Sequence, residues 1–237
     1  MLEFRTMRLC LAAVFLVTSL AAQTTPEVEI TAEPHHHLVL QNAYVRVFRE
    51  ELAPGATTLL HRHRHDYVAT ALGAAQISNQ VEGKSPVTTT LQDGQTVFFQ
   101  GGMAHAMRNV GTTLFRNITV EFLPPAKTRP TPPPKWDEER GLDILQGGTK
   151  DILFVQDGVR VSQIDLQPGG MIPRLSRAGP QLLIAVTDLE LHDEDAGNAS
   201  SMMTLHSGDV KWLPAGIVHT MMNMSKGKAK LISLEFH

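Results

Sequence analysis

An all-β protein made of two like units is what this 237-residue sequence predicts. Three observations carry that reading. Segments such as VRVFREELAPG, YVATAL, QTVFF and FRNITVEF alternate or run apolar over strand lengths, divided by Gly, Pro, Asn and Asp turns. No long helical period occurs between them. A set of residues also recurs at a constant offset of 114, from Val45-Arg46-Val47 and Val159-Arg160-Val161 (159 − 45) to Glu121-Phe122 and Glu235-Phe236 (236 − 122). All-β units of this size close as sandwiches or jelly rolls.

In chain order, Met1 to Leu20 places Arg5 and Arg8 before an apolar run and then the small residues Ser19, Ala21 and Ala22. That order is the one found in secretory signal peptides, and the run is short for a membrane span. The expectation is an exported protein, periplasmic or extracellular, without a mature membrane anchor. The only cysteine, Cys10, lies in the removable segment, so the mature chain holds together by its core rather than by disulfides. Composition is that of an ordinary globular protein, 42% apolar and 19% charged. Cleavage near Ala22 removes two basic residues and one acidic one, taking the net charge from −3 to −4. That balance excludes the basic footprint of a nucleic-acid binder.

The divisions expected are a signal peptide at 1–22, a solvated N-terminal arm at 23–37 containing His35, His36 and His37, a first unit at 38–123, a proline-rich linker at 124–135 and a second unit at 136–237. The repeats themselves run roughly 38–122 and 152–236. Pro124-Pro125 to Pro132-Pro133-Pro134 is too rich in proline for helix or central strand. A helical turn or two is expected over Trp136 to Leu145.

The chemistry concentrates in PGATTLLHRHRHDYVATALG, residues 54–73, and GQTVFFQGGMAHAMRN, residues 94–109. In a strand, His61 and His63 share one face and Arg62 takes the other. Two neutral imidazoles on one face suit a divalent metal, and His105 is the natural third from a distant strand. Gly55, five residues, His61-x-His63, then Gly73 resembles the first motif of the cupin superfamily. Gly94, five residues, Gln100-x-Gly102, two residues, His105, three residues, Asn109 resembles the second.

The resemblance covers nearly the whole mature chain and implies two tandem cupin-like jelly-roll barrels, a bicupin. It implies His61, His63 and His105 as ligands of one divalent transition metal, iron, manganese, nickel, copper or zinc. The family usually has a glutamate three or four residues after the second histidine; this chain has Tyr67 and Val68. Tyr67 ligates, contacts a substrate, acts as acid or base, or simply forms an aromatic wall. Asp66 and His65 join the metal only if a turn re-aims them, and Arg64 and Asp66 otherwise belong to a solvated face. Gln100 stands where Pro214 keeps the family's proline.

In the second unit His61 and His63 become Leu175 and Arg177, while His219 remains. Leucine does not ligate and arginine stays protonated, which excludes the same metal site. Either Arg177 and His219 receive an anion, or this unit is a degenerate barrel kept for packing. The functional expectation is a metal-dependent, dioxygenase-like oxidoreductase acting on a small organic substrate in the first barrel. The competing expectation is a non-enzymatic module binding a sugar or organic acid. Partners are then a small molecule only, and the chain is a monomer or weak homodimer.

Overall fold

The computed structural model describes residues 26–123, 139–156, 158–176, 179–195, 200–216 and 218–236. The expected leader, the proline-rich linker and Arg177 lie outside them. The described chain is all-β apart from one 3₁₀ turn at Ile30–Ala32, and among the described residues no helix is long and apolar enough to cross a membrane. The first half contributes β1 (Val28–Glu29), β2 (His36–Gln41), β3 (Val45–Leu52), β4 (His61–Arg62), β5 (Tyr67–Ala71), β6 (Ala75–Val81), β7 (Val87–Leu91), β8 (Thr96–Phe99), β9 (Ala104–Asn109) and β10 (Phe115–Phe122). The second contributes β11 (Gly141–Gln156), β12 (Val159–Ser176), β13 (Gln181–Ala185), β14 (Leu189–Asp195), β15 (Ser201–Leu205), β16 (Val210–Leu213), β17 (Val218–Asn223) and β18 (Ala229–Phe236).

The first half forms two five-stranded sheets, ordered β1-β4-β9-β6-β7 and β2-β3-β10-β5-β8. The second forms one sheet ordered β15-β14-β17-β12-β18-β13-β16, with β11 paired to β12. The repeat extends to the pairing itself. Phe115 is in register with Leu52 across β10 and β3, and Ala229 with Leu166 across β18 and β12; His61 is in register with His105, and Leu175 with His219. Each member of the second pair lies 114 residues after its counterpart.

Turn chemistry explains why these strands stop where they do. Pro54 and Gly55 occupy a turn closed by the Ala56 N–H to the Ala53 carbonyl at 3.0 Å. Gly55 has φ +79°, the left-handed value that type II turns require at their third residue. Asn109 donates its Nδ2 to the carbonyls of Leu52 and Thr113, and Asn223 does the same to Leu166 and Gly227. These asparagines tie a motif turn to its neighbours, a structural role in both halves.

Two expectations are corrected. Gly141–Leu145 begins strand β11, not a helix, and the strand is held in register with β12 from Gln146 onward. The segment preceding residue 38 is not a solvated arm either. Val28 and Glu29 pair in parallel with His61 and Arg62, and His36 opens β2 with only 6% exposure. Glu33 supplies the reason, since its buried carboxylate accepts from His36 Nδ1 at 2.7 Å.

One apolar cluster joins the halves. Val45, Val47, Val68, Ile118 and Val120 pack in it with their 114-offset counterparts Val159, Val161, Leu182, Ile232 and Leu234. Polar contacts at its edge are reciprocal: Arg116 Nη2 donates to the Ser207 carbonyl at 2.6 Å, and its counterpart Lys230 donates through Nζ to the Asp93 carbonyl at 3.1 Å. Truncating a fully buried leucine costs about 2–5 kcal/mol. Leu234→Ala is therefore expected to lower the urea midpoint of both halves together, in one transition. Two transitions with only one shifted would show that the cluster does not couple them.

Candidate metal centre

The second sheet of the first half sorts its residues by alternation. Val45, Val47, Ile118 and Val120 face the other half, whereas Glu50, Tyr67, Asn117 and Thr119 line a cavity between the two sheets. This cavity holds about 70 Å³ and is walled by Ala69, Ile77, Val97, Phe99, Met107 and Phe115 among others, with no lysine or arginine among the described residues that line it. His36, His63 and His105 belong to its lining.

His61 on β4 and His105 on β9 are directly opposite in register, with ring centroids 4.5 Å apart. His63 joins them at 5.2 Å from His61 and 5.3 Å from His105. The two motifs meet because the chain at 101–102 presses on the 63–65 segment. Gly102 donates its N–H to the His63 carbonyl at 2.7 Å, and a Cβ on Gly101 would lie 2.5 Å from the His65 carbonyl carbon. No residue larger than glycine fits there without moving backbone.

Hydrogen bonds set the tautomers. His61 Nδ1 lies 2.9 Å from the Leu59 carbonyl, which can only accept, so that nitrogen carries the proton. His105 Nδ1 is 2.7 Å from Asn79 Oδ1, whereas His63 Nδ1, with Glu121 Oε1 3.4 Å away, makes no hydrogen bond among the described residues. The Nε2 atoms of His61 and His105 are left as lone-pair acceptors, buried and without a hydrogen-bond partner among the described residues. A buried polar atom left unpaired costs about 1–3 kcal/mol. Two such nitrogens on rings 4.5 Å apart fit a divalent transition metal, with the outer partners orienting the rings from behind.

Electrostatics favour neutral, ligating imidazoles. Burial pulls His61 down to about 4, helped by the positive charge of His36. Burial takes His63 and His105 down to about 2, with repulsion from the neighbouring histidines added. Tyr67 is pushed up by burial and by the charges of Glu50 and Glu121, so its phenol stays protonated.

No protein-family model matches this sequence, and no curated protein matches it. Solved structures do. A mutant form of oxalate decarboxylase from Bacillus subtilis superposes with a TM-score of 0.59 at 13% identity, over 84% of this chain and 74% of that one. AerE from Microcystis aeruginosa does so with 0.58 at 13%, over 86% of this chain and 98% of that one. The fold is of the cupin type. At such identities it is the fold alone that is shared with these proteins. The Bacillus enzyme has also been described with Mn(II) centres, in a structure matching with a TM-score of 0.57 at 12% identity, over 84% of this chain and 74% of that one.

Within this cupin frame the residue in the usual glutamate position, Tyr67, stacks on His63 at 3.9 Å and 16°, and on Phe99 at 5.0 Å and 19°. Asp66 is not brought to the centre: its Oδ1 accepts the Gly101 N–H at 2.7 Å. Arg62 and Arg64 turn outward to Glu27 and Glu29. In the second half His219 is buried and lies 3.1 Å from Asp193, the counterpart of Asn79, so the orienting pair persists. Met221 beside it is core.

Sequence reading missed His36, Glu33, Glu50 and Glu121. Donor atoms of His36, His61 and His63 all lie within 4.8 Å of one another, a group that has His36 where the sequence led to His105. Glu121 was visible only as part of the repeat; it is buried and paired with Arg46 at 2.8 Å, as Glu235 is with Arg160. Glu50 is fully buried and raised to about 6 by that burial, against the pull of His36 and Asn117.

Proposed function

We propose that this chain is an exported, metal-binding bicupin whose first barrel performs dioxygenase-like oxidation of a small organic substrate, with His61, His63 and His105 as metal ligands. The observation that carries this is the pair of buried, unpartnered Nε2 atoms on His61 and His105 beside His63. A bound divalent metal supplies Lewis acidity and, where redox-active, oxygen activation. The chain's residues supply the rest. Leu59 and Asn79 hold the imidazoles of His61 and His105, Glu121 lies beside that of His63, and the apolar walls exclude water. The cavity's size and its lack of lysine or arginine favour a small neutral or monoanionic substrate over a dianion. Tyr67 presents a protonated hydroxyl to that substrate. The second half, with Leu175 and Arg177 in the ligand positions, serves as packing partner. The reciprocal cluster between the halves occupies a sheet face that a separate copy would otherwise cover, which supports a monomer or weak dimer.

The experiment is a screen of metal-loaded protein for oxygen uptake with small phenols, enols and organic acids, repeated with Tyr67→Phe. Phenylalanine keeps the stacking on His63 and Phe99 and removes only the hydroxyl. An enzyme that uses the hydroxyl loses about 100-fold or more in turnover. Tight binding of a sugar or acid without turnover, unchanged in Tyr67→Phe, would select the binding-module reading instead.

A further inference from the structure

We propose that His36 is a fourth imidazole ligand, so that metal binding fastens the N-terminal segment to the rest of the fold. This rests on the metal reading above and adds a ligand from outside both motifs. The His36 ring lies 4.7 Å from that of His61 and 6.2 Å from that of His63, and its side chain is 2% exposed. Its Nδ1 is 2.7 Å from Glu33 Oε2. Its Nε2 has Glu50 Oε2 at 3.6 Å, beyond hydrogen-bond length. As at His61 and His105, an acceptor lies behind Nδ1, and a ligand nitrogen of His36 lies within 4.8 Å of those of His61 and His63.

Glu33 is built for this task. Its carboxylate also accepts the backbone N–H of His35 at 2.8 Å and of Leu59 at 3.1 Å. The carbonyl of the same Leu59 accepts from His61. One residue therefore aligns both imidazoles, through its N–H on one side and its C=O on the other. A carboxylate behind a ligating histidine raises its basicity and fixes its ring. Because His36 begins β2 and β1 pairs with β4, an ion held by His36 and His61 staples residues 28–37 in place.

The test uses the full chain and Cu(II) alone as probe, comparing parent, His36→Gln, Glu33→Ala and His61→Ala/His63→Ala. Glutamine at 36 retains a donor for Glu33 but removes an imidazole. The expected result is Cu(II) affinity lower by at least about 10-fold in both single variants, with one imidazole nitrogen missing from the pulsed EPR spectrum of His36→Gln. The parent should also show slower proteolytic cutting of residues 26–41 when Cu(II) is added. Parent affinity and parent spectrum in His36→Gln, with no binding in His61→Ala/His63→Ala, would overturn this inference alone and leave His36 as a salt-bridged structural group. Parent affinity in the His61→Ala/His63→Ala protein would overturn the metal reading itself. Should His36→Gln not fold, unchanged cutting of the parent would overturn the inference equally.

Discussion

His61→Ala/His63→Ala is expected to abolish metal binding while the β-sheet fold persists. Elemental analysis of tag-free protein should find about one divalent metal per chain in the parent and none in the variant. Both imidazoles are buried and present nitrogens rather than packing surface to the centre, so alanine removes the donors and leaves the apolar core that joins the halves intact. Stability reports the same event independently. Metal at 100 times its dissociation constant stabilises the folded state by about 2.7 kcal/mol, which raises the unfolding midpoint of a chain this size by roughly 5 to 10 °C. That rise should vanish in the variant. Equal metal content in both proteins, or an equal rise in midpoint, would refute the centre described above. The identity of the metal then directs the substrate screen: iron, manganese, nickel or copper toward oxygen chemistry, zinc toward hydrolysis or isomerisation.

Metal-free protein is expected to lose stability steadily as the pH falls from 6.5 toward 4. The sign follows from the histidines. An unfolded chain protonates them near 6.5, whereas the folded chain holds His61 at about 4 and His63 and His105 at about 2. Below 6.5 the unfolded state binds more protons, so stability present above that pH is lost on the way down. His61 alone contributes a loss of about 3 kcal/mol between pH 7 and pH 4. Glu33, held at about 2 by its histidine partners despite burial, adds to the loss below pH 4.5. Three groups oppose it. Burial lowers His36 but Glu50 and Glu33 outweigh it and raise it overall, Glu50 sits near 6, and burial raises Glu121 against the pull of Arg46, so all three take up protons more readily when folded. Urea midpoints measured with a chelator at pH 7, 6, 5 and 4 decide the matter. A flat profile would mean that solvent reaches the imidazoles, and the His61→Ala/His63→Ala protein should show a much shallower decline.

Much of this molecule is written in neighbouring residues. The strands follow from alternation and from turn residues such as Pro54-Gly55, and the repeat follows from a constant spacing that needs no coordinates. His61, His63 and His105 stood out as ligand candidates because strand parity and glycine spacing are local properties. Leu142 and Ile144 show where local reading failed: a charged, apolar mixture suggested helix, and the segment instead leads into a strand that pairs with β12 from Gln146 onward. His36 shows the larger gap. In the sequence it is the middle of three histidines in a polar stretch, indistinguishable from His35 and His37. Only the fold puts Glu33 behind it, Glu50 beside it and His61 opposite, residues 3, 14 and 25 positions away. The same holds for Tyr67, whose stack on His63 left its hydroxyl's environment to be decided by Glu50 and Glu121 on other strands. Backbone preference is set by a residue and its neighbours, so the sequence alone determined the all-β class, the doubled plan and three ligand candidates. The partner of a buried polar atom is set by what packs across space, and that was decided only when the sheets closed over the cavity.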